Sequence, residues 1–323
     1  DMCSLFGLID YSNALPAAAR KVIIRELSRE FEILGTDATG ISYNSFGRLK
    51  IYKRPVRASK LNFRVPFDSK VVMGHTRMTT KGNQRININN HPFPGHVEGM
   101  DFALAHNGVL HNDELLRKNM KLPDTNIETD SYIAVQLIEN SGKLDFDSVK
   151  AMAEAVQGTF CFTILNDRNE LYIVKGNNPL EMYDCGGYYL YASTDSILKQ
   201  VMKRFKIKKA GRVNLEEGTI TKVYPDGRLE AMKFDIFDEF DYGHYFGRYS
   251  KWDFFGDETE PPDEERIAYL AEYASYFGID EDDIRLLIDA GYDEFEIEEM
   301  LYDPMTMQQA LSGFKKYSVC ERG

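Results

Sequence analysis

A layered α+β fold, and not a parallel doubly wound sheet, follows from three features of the sequence. Many short runs rich in β-branched and aromatic residues succeed one another in hairpin order, only a few longer amphipathic stretches stand between them, and the composition changes after about residue 235. The chain has 323 residues, which at roughly 150 residues per domain suggests about two domains. We expect a first domain over 1–235, an acidic and aromatic connecting arm over 236–262, and a small helical domain over 263–323.

CSLFGLID (3–10) reads as a buried strand, AAARKVIIRELSREFEIL (17–34) as an amphipathic helix, and ATGISYNS (38–45) with RLKIYKRPV (48–56) as a hairpin. Further strands are expected at 70–78, 102–110, 159–167, 170–176, 187–194 and 218–224. Helices are expected at TDSYIAVQLIENS (129–141) and DSVKAMAEAV (147–156). The arm is dense in aromatics, which favours packing on the first domain over a free linker, and its aspartates lack the spacing and central glycine of a calcium loop. Beyond it, 263–278, 280–291 and 293–302 carry apolar residues at helical spacing behind acidic starts that suit the helix dipole. The turn AGYDEFEIEEML is weakly similar to the three-helix ubiquitin-associated type of module.

Composition removes several classes of function. The 43% of hydrophobic residues is spread in short pieces, with no apolar run near the ~18 residues of a membrane helix. Without a secretory signal pattern either, the default compartment is cytoplasmic. Cys3, Cys161, Cys185 and Cys320 are scattered, which argues against a zinc knuckle or a disulfide framework; no metal or cofactor is expected. A net charge of −12 disfavours a phosphate-backbone binder, and the basic stretch KQVMKRFKIKK (199–209) reads as a solvated helix face running into a strand.

Four segments stand out for their chemistry: MCSLFG (2–7), GHTRMTTKG (74–82) with NNHPF after it, AHNGVLHN (105–112) and ETDSYIA (128–134). Each alone has a plain structural reading, respectively a core cysteine, a loop arginine, an Asn-Gly turn, and a helix N-cap at Thr129 or Asp130. Together, in this order and with LGTDATG (34–40), they resemble the class II glutamine amidotransferases over about residues 3–230. The resemblance implies a four-layer αββα sandwich of the N-terminal-nucleophile (Ntn) hydrolase type, with glutamine or a γ-glutamyl compound as substrate.

By that resemblance Cys3 would be the nucleophile, and Asn107 with Gly108 would form the oxyanion pair. Arg77 would bind the α-carboxylate of glutamine and Asp130 its α-ammonium group, with Thr80 and His91 at flanking substrate-pocket positions. The chemistry suits these residue types. A thiol of pKa ~8.5 and an α-amine near ~8 on one residue supply nucleophile and base together, and a planar guanidinium matches a carboxylate. His75 and His106 are read as core or hydrogen-bonding residues. Met78, Thr79 and Lys81 depart from the hexosamine-synthase form of the motif, where Trp, Ala and a second His stand; Lys81 is expected to change the charge beside the pocket.

Removal of Met2 as initiator would free the Cys3 amine and make Asp1 an added residue. Alternatively, Asp1 and Met2 end a short propeptide. No P-loop, GxGxxG or sugar-phosphate isomerase pattern follows residue 235, so an ammonia acceptor is expected on a separate synthetase or ligase. The other readings are a stand-alone hydrolase of γ-glutamyl amides or peptides and a catalytically silent binding protein.

Overall fold

Strand β1 (Ser4–Ile9) is buried along its whole length, and the rest of the first unit is arranged around it. The computed structural model describes residues 3–208, 210–236 and 279–289, with single helical positions at 267, 271, 274, 297, 307 and 311. The chain divides into two units, Asp1–Arg248 and Tyr249–Gly323.

In the first unit β1 is followed by α1 (Ala17–Glu30), β2 (Ala38–Ser45), β3 (Arg48–Arg54), β4 (Val71–Arg77), β5 (Phe93–Val97) and β6 (Met100–Leu110). Three helices come next: α2 (Asp113–Asn119), α3 (Tyr132–Ser141) and α4 (Phe146–Ala155). Strands β7 (Gly158–Asn166), β8 (Leu171–Lys175), β9 (Glu181–Asp184) and β10 (Tyr189–Ala192) lead to α5 (Asp195–Arg204). The short strands β11 (Gly211–Val213), β12 (Thr219–Val223) and β13 (Leu229–Lys233) complete the unit. They form a seven-stranded sheet, β11-β9-β10-β1-β4-β2-β3, and a six-stranded sheet, β13-β12-β8-β7-β6-β5. Every paired strand runs antiparallel to its neighbour.

Strand alternation explains the layers. Leu5, Ile9, Val71 and Met73 point inward, where they meet Ala103, Ala105, Cys161 and Leu165 of the second sheet. Phe6, Leu8 and Val72 point the other way, onto Ile23, Ile24 and Leu27 of α1 and Leu198 and Val201 of α5. On the far side, Leu104, Phe162, Ile164 and Val174 pack against Ile133 and Ile138 of α3 and Val149 and Met152 of α4. The order is helix, sheet, sheet, helix, the αββα arrangement expected. Because both faces of β1 are covered, its sequence carries no polar alternation.

Some elements differ from expectation. Helix α1 ends at Glu30 and tightens into a 3-10 turn over Phe31–Leu34, after which Gly35 passes close to the backbone of Thr76: a Cβ there would lie 2.5 Å from the Thr76 carbonyl carbon. Strands β5, β9, β11 and β13 are too short or too rich in Gly, Pro and charge to announce themselves. The basic stretch does begin on a helix, α5, with Leu198, Val201 and Met202 buried beneath it, and Lys199 and Arg204 are engaged by Asp195, Glu26 and Glu30.

In the second unit α6 (Glu281–Asp289) is a helix, and Ile267, Ala274, Ile284, Leu287, Ile297, Met307 and Leu311 form a separate apolar cluster. Apart from Ile236, which packs against the core beneath α3 and α4, the expected arm at 236–262 and most of the 263–323 region lie outside the described residues. No helix among the described residues is long and apolar enough to cross a membrane.

At the end of β1 away from Cys3, the fully buried Asp10 carboxylate accepts from Ala14 N at 2.8 Å and from Arg20 Nη1 at 2.8 Å. Arg20 reaches on to the carbonyls of Leu15 and Phe67. Removing one partner of a buried pair strands the other, so Asp10→Ala is expected to destabilise the domain by about 3–5 kcal/mol in urea unfolding monitored by circular dichroism. A loss below roughly 1 kcal/mol would show that the pair is dispensable.

Candidate functional site

Antiparallel pairing of β1 with β4 opposes Ser4 to Thr76, so the start of β1 lies at the end of β4. There the Cys3 thiol donates to Met78 O at 3.3 Å and accepts from Met78 N at 3.4 Å. Cys3 is half-buried as a residue. Burial of its sulfur pushes the thiol up to about 11, against the opposing influence of the Met78 backbone and the Arg77 charge.

Arg77, the last residue of β4, is buried, and it has no carboxylate within ion-pair distance among the described residues. Neutral acceptors hold it: Nη1 donates to Asn89 O and Asn90 Oδ1, both at 2.7 Å, and Nη2 donates to Lys81 O at 2.6 Å. Three of its five N–H groups are thereby used, and Nε is not among them. Burial lowers its pKa, while Cys3, Asp130, Asp37 and Glu128 oppose that shift electrostatically. Such a guanidinium keeps its charge and retains donors for an anion.

The second sheet brings in Asn107, Gly108 and, through the chain entering α3, Asp130. Asn107 and Gly108 sit inside β6, opposite Cys161 and Phe160, so the Asn-Gly turn reading is wrong for this site. Gly108 has φ +145°, and a Cβ on it would stand 1.8 Å from Thr159 O, which restricts the position to glycine. Asn107 is buried; its Nδ2 faces Ser193 Oγ at 3.5 Å, and its Oδ1 has no partner among the described residues. Ser193 Oγ also accepts from Leu5 N at 2.9 Å, linking the strand of Cys3 to the side chain of Asn107.

The cap reading of Thr129 or Asp130 fails as well. Ser131 is the N-cap residue of α3, without a side-chain cap bond. Asp130 reaches back across the site, accepting from Leu110 N at 2.7 Å through Oδ2. Thr80 is exposed. His91 is buried between the rings of His75, with centroids 4.1 Å apart, and Phe93, at 4.4 Å. Neither of its ring nitrogens has a partner among the described residues, and burial holds it neutral, well below the usual histidine range. His75 donates from Nε2 to His106 O at 2.9 Å and is lowered to about 3 by burial; His106 engages Ser131 Oγ at 2.8 Å. Both are buried hydrogen-bonding residues, as expected. Lys81 corrects an expectation: its ammonium is taken by Asp113 at 3.0 Å, and only its backbone carbonyl touches Arg77.

Several supporting residues were not singled out from the sequence. Asp37 accepts from Thr79 N at 2.9 Å and donates its own N–H to Arg77 O at 3.0 Å, clamping both sides of Met78. Glu128 accepts from Asn83 N and Asn89 Nδ2, both at 2.8 Å, and fixes the loop that carries the acceptors of Arg77. Asn178 Nδ2 donates to Asn107 O at 2.8 Å. Asp37 and Asn89 lay within quoted motifs, but a buried polar network is visible only once three distant segments meet.

The two-sheet sandwich covered by helices on both outer faces is a fold shared with solved amidotransferase structures. Residues 75–200 match the family model described as a glutamine amidotransferase domain. The chain is 28% identical over 214 residues to the glutamine–fructose-6-phosphate aminotransferase (isomerizing) of Staphylococcus aureus, covering 64% of this chain and 34% of that protein. The Staphylococcus epidermidis enzyme of the same name is 28% identical over 215 residues, with the same coverage. The chain therefore spans about a third of the length of the curated relatives it matches. Among solved structures, glutamine phosphoribosylpyrophosphate amidotransferase from B. subtilis superposes with a TM-score of 0.58 at 20% identity, over 72% of this chain and 49% of that one. Within the first unit, residues 75–200 match a glutamine amidotransferase domain, and the unit is similar to the class II amidotransferase domains.

With its thiol at about 11, Cys3 of the chain as it stands is almost wholly protonated at neutral pH. Alkylation by iodoacetamide, mapped by mass spectrometry, should therefore be slow at pH 7 and rise about tenfold per pH unit up to pH ~10, because only the thiolate reacts. Cys161, fully buried and pushed up to about 12, should stay unlabelled in the folded protein. A Cys3 rate that levels off near pH 8 would contradict the assigned environment.

Proposed function

We propose that this domain is a glutaminase that hydrolyses the side-chain amide of glutamine through a Cys3 thioester, releasing glutamate and supplying ammonia to a separate synthetase or ligase. The observation that carries the reading is a Cys3 thiol set against the Met78 backbone, in the field of the buried Arg77 cation and of two carboxylates, Asp130 and Asp37, the latter already engaged by Thr79 N. A free α-amino acid bears the complementary pair of charges on one carbon, and satisfying both selects it over a glutamine inside a peptide.

In this reading the α-amine of a Cys3 that begins the chain takes the thiol proton, and sulfur adds to the amide carbon of the side chain. The oxygen that becomes negative is met by Asn107 Nδ2 and Gly108 N–H. The C–N bond breaks as the leaving ammonia takes the proton from the α-ammonium. Water, deprotonated by the same amine, then adds to the thioester carbonyl carbon; the C–S bond breaks, the departing thiolate takes the proton back from the α-ammonium, and glutamate is released. The raised thiol of Cys3 supports the need for this base: burial disfavours a standing thiolate, so the proton must be removed as the bond forms. Asp1 and Met2 convert the amine into an amide that cannot accept it.

Glutamate release from L-glutamine should accordingly be confined to protein whose intact mass shows Cys3 as the first residue. In that form Asn107→Ala should lower kcat about 100- to 1000-fold with little change in KM. Equal activity with Asp1 and Met2 in place would overturn the role of the amine. Silence toward glutamine, with turnover of γ-glutamyl amides, would move the reading to a stand-alone hydrolase.

A further inference from the structure

Lys53 is the feature of the site that the reaction leaves unexplained. It lies on β3 opposite Gly40 and is half-buried, and its ammonium has no carboxylate within ion-pair distance among the described residues. Taking an ammonium out of water without a counter-ion is costly, so the groups it does hold are informative. Nζ donates to Asn90 O and, at 3.4 Å, to Ile88 O, and it stands 5.0 Å from the centre of the Phe93 ring. The Lys53 carbonyl accepts from Asn87 Nδ2 at 3.0 Å. One lysine thus binds three residues of the segment 87–90.

That segment carries two of the three acceptors of Arg77: Asn89 O and Asn90 Oδ1. Arg77 grips it from one side and Lys53 from the other. Gly40 makes the approach possible, since a Cβ there would lie 2.1 Å from His91 O and 2.9 Å from Pro92 Cδ. Asn89 O and Asn90 Oδ1 together occupy Nη1, which leaves Nε and the remaining N–H of Nη2 for a ligand. Nε and Nη2 share the side edge of a guanidinium, the edge on which a carboxylate can be bound.

We propose that Lys53 is a positioning residue for substrate recognition: by pinning the segment 87–90 it fixes which edge of Arg77 is presented to the α-carboxylate. This rests on the amidohydrolase reading above. Lys53 acts through Asn90 and touches neither the reacting amide nor Cys3, so its loss should weaken binding and spare the chemistry.

The test uses the full chain beginning at Cys3. Lys53→Met should raise KM for L-glutamine roughly tenfold, the scale of a lost charge-assisted hydrogen bond, with kcat within about twofold; Lys53→Arg should restore most of the affinity. A second readout needs no disruptive variant. Burial and the neighbouring Arg77 charge lower Lys53 to about 8, so KM of the unmutated chain should rise above that pH while that of Lys53→Arg stays flatter. The other groups facing Lys53, His75 and His91, are already neutral there, and Arg77 remains charged. An unchanged KM in Lys53→Met, or a kcat that falls as KM rises without rescue by arginine, would overturn the proposal. Calorimetric titration of Cys3→Ala with L-glutamine separates the two levels: no binding with Lys53 intact defeats the amidohydrolase reading itself, whereas binding that Lys53→Met leaves unaltered defeats only the role of Lys53.

Discussion

Strand β1 is hydrogen-bonded to β4 on one side and to β10 on the other, and the first of these pairings decides where everything else must go. Opposing Ser4 to Thr76 brings the head of β1 to the tail of β4, so Cys3 meets the backbone of Met78 and lies in the field of Arg77. A slip of one residue would turn the inward side chains of β1 outward and carry the thiol away from that backbone. Burial of both faces of the strand makes such a slip prohibitive. Register here is enforced by the hydrophobic core and used by the site.

The second sheet supplies what the first lacks. Asn107, Gly108 and the chain leading to Asp130 approach through β6, and the two sheets are joined at this end by Ser193, whose hydroxyl contacts both the Leu5 amide and Asn107. Around them the polar groups are fixed by backbone and amide partners more than by opposite charges. Arg77 is cradled by carbonyl and amide oxygens, Asp130 by the Leu110 amide, and Met78 by Asp37 on either side. This choice of partners has an electrostatic consequence: a charge held by neutral groups is oriented without being cancelled, and it remains able to attract an ion of the other sign.

Much of this was legible in the sequence, for reasons that can be named. The apolar runs of β1, β4 and β7 and the periodicity of α3 and α4 report burial directly, which is why the layered class could be read from pattern. The motifs around Cys3, Arg77, Asn107 and Asp130 were legible by resemblance, and the fold brings their segments to one end of the two sheets. Local chemistry misled at Asn107 and Asp130, where an Asn-Gly pair inside a strand and an aspartate before a helix suggest a turn and a cap. Tertiary contacts override both: β7 presses on Gly108, and Leu110 N captures Asp130. Lys53, Asp37 and Glu128 were illegible as site residues, because each acts on a segment about 35 to 45 positions away. Charge at Lys81 was over-read, since its partner Asp113 is 32 residues distant.

Everything proposed for this domain converges on one covalent bond, between Cys3 Sγ and the side-chain carbonyl carbon of glutamine. The most direct test is to mix the Cys3-first protein with L-glutamine, quench in acid during turnover, and map the adduct by intact-mass and peptide mass spectrometry. A mass increase of one glutamyl group is expected, confined to the peptide bearing Cys3 and absent when Asp1 and Met2 precede it. Glutamate release with no adduct on Cys3 in protein trapped during turnover, or release that persists in Cys3→Ala, would contradict the Cys3 thioester.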